Sequence, residues 1–321
     1  MSKISSFLLV LFFSCFHLIN ASPTKRWVVA KNGSGDFSTL QEAFNAVPLN
    51  NRIPTTIYIK NGIYQEKLIL DSTKNFVILI GESAKNTILT YDDFSGKVTK
   101  EGIKLGTTTS TSTRIVADNF TAKNITFANS AGPVGQAVAM LVDGDKARFF
   151  NCRFLGFQDT LYPKRAGTRQ YYKNCYIEGT VDFIFGWAIA YFDHCELVGK
   201  LDAGYFTAAS TPQNQAFGFV FNHCKIGGTA PAESYYLGRP WRDYAQTVFI
   251  SCEMSNIVKV EGWHNWYKIN AEKTAFYAEY QSKGKGGNTE RRVKWAKQLS
   301  KDEVKKYKAK NVLSGSDGWR F

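Results

Sequence analysis

Five cysteines recur through the middle of the chain, each inside a similar four-residue phrase: Asn151-Cys152-Arg153-Phe154, Asn174-Cys175-Tyr176-Ile177, His194-Cys195-Glu196-Leu197, His223-Cys224-Lys225-Ile226 and Ser251-Cys252-Glu253-Met254. The cysteines are spaced by 23, 20, 29 and 28 residues, and a cysteine-free relative of the phrase stands earlier at Lys123-Asn124-Ile125-Thr126-Phe127. Degenerate self-similarity at about 20 to 30 residues marks a solenoid, in which each repeat buries its apolar face against its neighbours. Within each phrase small or apolar residues alternate with polar ones, the two-residue period of a half-buried strand. Stretches 137–142 and 218–221 are further short strand candidates. A helical solenoid would need two amphipathic helices per repeat, and the middle of the chain lacks long helical patterns. The expected fold is therefore all-β, a single-stranded parallel β-helix whose coils stack equivalent residues about 4.8 Å apart. The cysteines become an inward ladder of small core residues, with Cys175 and Cys195, one coil apart, the best candidates for a disulfide.

Solenoid ends need covering, and short capping helices are expected at both. Ser38-Thr39-Leu40-Gln41 reads as a capping-box start, followed by Leu40, Ala43, Phe44 and Val47 at helical spacing and by Pro48 as a stop. Ser300-Lys301-Asp302-Glu303 opens a second short helix, and the glycine- and lysine-rich stretch 283–288 is a loop, not a boundary. Residues 22–321 are read as one domain. Residues 1–21 are read as a secretory signal: Lys3 is the positive start, the apolar run 7–18 is too short to span a bilayer, and Ala21 ends the segment. A rival reading makes Cys15 a lipid anchor, but Phe12-Phe13-Ser14 fits that signal poorly. The expected location is extracellular, at or near a cell wall, with no membrane span. Asn32, Asn119 and Asn124 begin glycosylation sequons, usable in a eukaryotic host.

The formal charge is +13, or +12 once Lys3 leaves with the signal. Such a field concentrates polyanions. An exported protein meets acidic polysaccharide sooner than nucleic acid, although charge alone also fits simple solubility.

Several catalytic patterns are missing: there is no G-x-S-x-G elbow, Walker loop, H-E-x-x-H helix or C-x-x-C pair. Of four histidines, His17 lies in the signal, while His194 and His223 occupy repeat positions where a strand role is expected. What stands out instead is polar residues set in apolar phrases: Gln136 before Ala137-Val138-Ala139, Gln158-Asp159 before Thr160-Leu161-Tyr162, Asp182 between Val181 and Phe183, and Arg239 in Leu237-Gly238-Arg239-Pro240-Trp241. Ionised carboxylates among apolar side chains are costly unless paired or functional. Gln136 to Asp159 and Asp159 to Asp182 are both 23 residues, so coils of that length align all three on one face. Two neighbouring aspartates do not both ionise easily. One should keep its proton near neutral pH while the other, held by Arg239, stays charged. The set then suits either a retaining glycosidase or an aspartyl esterase, and the two glutamines, as amide donors for an oxyanion, tilt the choice towards acyl chemistry. A structural polar ladder or a plain Asp–Arg salt bridge is the competing explanation.

Together, Gly62-Ile63-Tyr64-Gln65-Glu66, Gln136-Ala137-Val138-Ala139, Gln158-Asp159-Thr160-Leu161-Tyr162, Gly179-Thr180-Val181-Asp182-Phe183-Ile184-Phe185-Gly186 and Leu237-Gly238-Arg239-Pro240-Trp241 resemble the pectin methylesterases. The likeness runs from about Val28 to about Trp266. It implies a right-handed parallel β-helix of the pectin-lyase-like kind and hydrolysis of methyl esters on homogalacturonan, giving pectate and methanol without metal or organic cofactor. It also implies roles. Asp182 is the nucleophile on the C6 ester carbonyl. Gln158, helped by Gln136, holds the oxyanion. Asp159 protonates methanol and then activates water. Arg239 orients Asp182 and touches substrate. Trp241, Tyr162 and Phe185 line the groove, and Thr107 matches a substrate-contacting threonine by a looser alignment. Trp187 departs from the asparagine usual in plant members, which bears on groove specificity. The expected partner is the polysaccharide, bound by a monomer, and a basic groove would favour partly de-esterified, blockwise substrate. A pectate lyase or polygalacturonase would share the fold but does not fit this residue set. An inactive binding protein does not fit two intact aspartates.

Overall fold

The computed structural model describes residues 25–321, so the signal segment and Cys15 lie outside the described residues. The chain winds into coils that contribute one short strand to each of three sheets, of 11, 8 and 7 strands, and the named strands pair in parallel. One coil shows the plan. Ala147–Phe150 joins the long sheet, Arg153–Leu155 the second and Leu161–Pro163 the third; the next coil repeats this with Arg169–Lys173, Tyr176–Gly179 and Ile184–Gly186. Parallel pairing in register stacks like on like. Phe149, Tyr172, Phe192, Phe221 and Phe249 form an interior ladder with ring centroids 4.8, 4.6, 4.5 and 4.6 Å apart, close to the strand spacing itself. A continuous apolar core runs from Trp27 to Tyr277.

The repeated phrases mark corners. Asn124, Asn151, Asn174, His194, His223 and Ser251 all have φ between 50° and 55°. Asparagine tolerates this left-handed conformation better than most residues, because its short polar side chain offsets the steric cost. His194 and His223 are therefore corner residues, exposed, with rings stacked 5.2 Å apart, and not the strand residues the sequence suggested. The residue after each of the last five corners is a buried cysteine.

The expected Cys175–Cys195 disulfide is absent: Cys152, Cys175, Cys195, Cys224 and Cys252 are all free thiols. The pair sits one coil apart, since Tyr176 pairs with Glu196. In-register parallel neighbours hold their Cβ atoms about 4.8 Å apart and pointing the same way, whereas a disulfide wants them at about 3.8 Å and converging. Each sulfur instead donates back to a carbonyl one coil earlier: Cys175 to Phe149 at 3.6 Å, Cys195 to Tyr172 at 3.5 Å, Cys224 to Phe192 at 3.4 Å and Cys252 to Phe221 at 3.5 Å. Burial pushes the Cys152 thiol up to about 12, so it stays protonated and inert.

The N-terminal cap is the helix Leu40–Ala46, whose capping box is made by Thr39 and Glu42, one residue later than the sequence suggested. At the other end Ser300 and Glu303 exchange backbone-to-side-chain bonds of 2.8 and 3.2 Å ahead of the 3-10 turn Glu303–Tyr307. The tail then crosses the outer face of the long sheet, burying Tyr307, Val312 and Leu313 against Tyr171, Tyr191, Val220 and Val248. Asp317 is held there by Arg169 and Lys146. Among the described residues no helix is long and apolar enough to cross a membrane.

Candidate active site

The outer face of the third sheet carries the cleft. In its strands, alternate residues point to opposite faces. Leu161 and Ile184 face the core, while Tyr162 and Phe185 face out and stack with centroids 4.0 Å apart. With Val138, Leu141 and Ala208 they form a separate apolar floor, packed by Trp241 and Trp266.

Both aspartates lie two residues before a core-facing residue, so regular alternation would aim them inward. They escape because each is in the left-handed conformation, Asp159 at φ 65° and Asp182 at φ 54°. That kink turns the carboxyl groups into the cleft, where both are almost fully buried, at 7% and 5% exposure. Leu161 pairs with Ile184, and Asp159 N–H donates to the Val181 carbonyl at 3.1 Å, so the aspartates occupy matching positions on successive coils. On the preceding coil it is Gln158, not Asp159, that pairs with Gln136. The chain gains a residue between that bridge and the Met140–Leu161 pair, so the equal spacings of 23 overstate the alignment by one position. Neither glutamine carboxamide has a hydrogen-bond partner among the described residues, which leaves both amides free to donate into the cleft.

Arg239 reaches in from two coils further on. Its Nε donates to Asp182 Oδ1 and its Nη2 to Oδ2, both at 2.8 Å, the paired-fork geometry that makes arginine–carboxylate contacts strong and directional. The guanidinium is also sandwiched between the Tyr205 and Trp266 rings, 3.9 and 3.7 Å from their centroids. Its backbone is fixed by a 3.0 Å bond to the Thr207 carbonyl. Gly238 just before it has no room for a side chain, since a Cβ there would collide with Thr207 Oγ1.

These contacts separate the two carboxyl groups electrostatically. Burial, and then the neighbouring Asp182 charge, hold Asp159 well above the ordinary carboxylate range, only partly opposed by Arg239. Burial raises Asp182 too, against the bonds and charge of Arg239 and the charge of Lys268. The sequence suggested that Arg239 alone would settle Asp182; desolvation outweighs it, and Asp182 still ends as the more acidic of the two.

The cleft encloses about 790 Å³ and brings together every site residue singled out from the sequence: Thr107, Gln136, Gln158, Asp159, Tyr162, Asp182, Phe185, Arg239 and Trp241. Thr107 stands on a wall with Thr108 and Thr109, which Lys67 ties down by a 2.7 Å bond to the Thr109 carbonyl. Trp187 is set beside Trp241, ring centroids 5.9 Å apart, with its indole N–H buried and unpaired. Sequence reasoning missed Trp266 and Tyr205. Nothing local distinguishes an aromatic that covers an arginine 27 residues away from one that fills a loop. Among the described residues no group of three or more His, Cys, Asp and Glu could hold a metal ion. An unprotonated carboxylate beside a protonated carboxyl group, with free amides across the cleft, is equipped for nucleophilic attack on a carbonyl, oxyanion stabilisation and protonation of a leaving group.

Comparison with known proteins agrees with this arrangement. The family model for pectinesterases matches residues 26–316. Pectinesterase 31 of Arabidopsis thaliana is 40% identical over 282 residues, covering 86% of this chain and 88% of that protein. The chain spans about half the length of several longer pectinesterase relatives. The structure of a pectin methylesterase from carrot superimposes with a TM-score of 0.83 at 33% identity, covering 91% of this chain and 94% of that one. A pectin methylesterase in complex with a hexasaccharide gives 0.80 at 31% identity, covering 92% and 98%. These likenesses identify the solenoid as a right-handed parallel β-helix.

Proposed function

The chain belongs to the pectinesterase family and removes methyl esters from pectin; we propose that it does so outside the cell, as one domain, through an acyl-enzyme formed on Asp182. The observation that carries this reading is the bidentate clamp of Arg239 on Asp182 next to the proton-retaining Asp159. It supplies a charged nucleophile and an acid side by side in one cleft.

In the proposed sequence, Asp182 attacks the C6 ester carbonyl. The Gln158 and Gln136 amides donate to the resulting oxyanion, whose charge they stabilise more than that of the ground-state carbonyl. Collapse of the intermediate breaks the C–O bond to the methyl group's oxygen, and Asp159 gives its proton to the departing methoxide. An anhydride now links Asp182 to the substrate. Asp159, left as a carboxylate, takes a proton from water as that water attacks the anhydride. Asp182 leaves ionised, Asp159 is protonated again, and the sugar keeps a free carboxyl group. Arg239 holds Asp182 in line throughout, while the Tyr162, Phe185, Trp241 and Trp266 faces stack against sugar rings. Thr107 contacts the same polysaccharide from the wall.

Asp182→Ala should abolish methanol release from pectin, and unchanged release would remove the mechanism. The covalent step has its own test. With hydroxylamine as a competing acceptor, methyl and ethyl esters should give the same hydroxamate-to-acid ratio, because both pass through one intermediate. A ratio that follows the alcohol would instead favour direct attack by water.

A further inference from the structure

The charge of this chain is unevenly spread. Residues 283–310 carry eleven Lys and Arg against three acids, a net +8 of the chain's +13. Ten of the eleven are exposed, the exception being Arg292, which pairs with buried Glu279 at 2.7 Å. Among the described residues, only Lys305 of the ten forms an ion pair, with Asp302. Crowded, unpaired like charges oppose compaction, so this accumulation is not explained by the fold.

The fold does organise it. Lys297 belongs to the last strand of the long sheet, Lys297–Gln298. Beyond it Tyr307, Val312 and Leu313 pin the tail to the outer face of that sheet, which leaves Lys301, Lys306 and Lys310 turned to solvent. Lys297 and Lys306 approach one ring, Phe276, at 4.7 and 6.0 Å, so the strand end and the tail present one continuous basic strip. None of these residues lines the cleft.

We propose that this strip is a second, non-catalytic binding surface for de-esterified galacturonan, the polyanion that the reaction itself makes. The proposal rests on the esterase reading above. Each ester hydrolysed leaves a carboxylate on the same polymer, so a polymer the cleft has worked on gains affinity for the strip and keeps the enzyme close. The composition favours carboxylated sugar over nucleic acid. Nine of the ten exposed cations are lysines, compact point charges, whereas phosphate and base recognition draws on arginine forks and exposed aromatic platforms.

The test neutralises four exposed positions together: Lys297→Gln, Lys301→Gln, Lys306→Gln and Lys310→Gln. The variant should bind immobilised polygalacturonate at least about tenfold more weakly at low ionic strength, with a shallower salt dependence. Its melting temperature and its methanol release from short esterified oligogalacturonides should match the parent. Equal affinity and salt slope in variant and parent would overturn the proposal, as would a DNA duplex displacing the parent from polygalacturonate more readily than soluble pectate does. Failure of the parent to release methanol from the short oligomers would sink the esterase reading separately, since that assay does not involve the strip.

Discussion

Arg239 holds Asp182 by both carboxylate oxygens at once while its own guanidinium is stacked between Tyr205 and Trp266. The two aromatic faces strip water from the cation, which strengthens its pull on the carboxylate and leaves it one orientation. Lysine can reproduce the charge but neither the fork nor the stacking. Arg239→Lys should therefore lower kcat by about a hundredfold, the scale of a lost charge-assisted pair, and shift the acid limb of the pH profile upward as Asp182 becomes harder to ionise. An acid limb that stays in place would show that Arg239 serves substrate binding alone.

The pH dependence follows from the two carboxyl groups. Activity should rise as Asp182 loses its proton, above the ordinary aspartate range because burial raises it, and fall as Asp159 loses its own at higher pH. Asp159→Asn should cost most of the activity and erase the alkaline limb.

The same substitution bears on stability. A carboxyl group whose pKa is raised by folding contributes stability that is fully present below its unfolded value and is lost as pH rises through its folded value. Ionising Asp159 at alkaline pH should thus weaken the fold. The carboxamide of the Asp159→Asn variant would not ionise, and asparagine accepts the left-handed backbone found there. The variant should melt at a higher temperature than the parent above neutral pH, with the gap closing in acid. A gap independent of pH would contradict the assignment of the raised pKa to Asp159.

The thiol ladder gives a simpler expectation. With Cys152, Cys175, Cys195, Cys224 and Cys252 all free and buried, a reductant should leave the melting temperature unchanged. These five thiols should react with a colorimetric thiol reagent only after denaturation. A drop in melting temperature on reduction would mean that a bridge forms after all.

The solenoid was legible because its signals are local and repeated. A corner that needs a left-handed residue recruits asparagine or a near substitute, the next position faces the interior and takes cysteine, and the coil brings the pattern back after 20 to 29 residues. The polar residues of the cleft stood out for the same reason, as Asp159 and Asp182 interrupt phrases that otherwise read as core. Less visible was anything that depends on how coils are offset. The Gln136–Gln158 bridge came out one position away from the expected alignment because a residue is absorbed before Met140.

Residue order alone determined the parallel coil, the inward cysteines and which acids, amides and arginine would be drawn to a common face. These follow from strand alternation and repeat length, properties of neighbouring residues. Only the tertiary structure decided that the thiols stay apart, that Trp266 and Tyr205 close over Arg239, and that burial outweighs that arginine at Asp182. Each of these is set by distances between separate coils and by how much water their packing excludes, neither of which a single strand encodes.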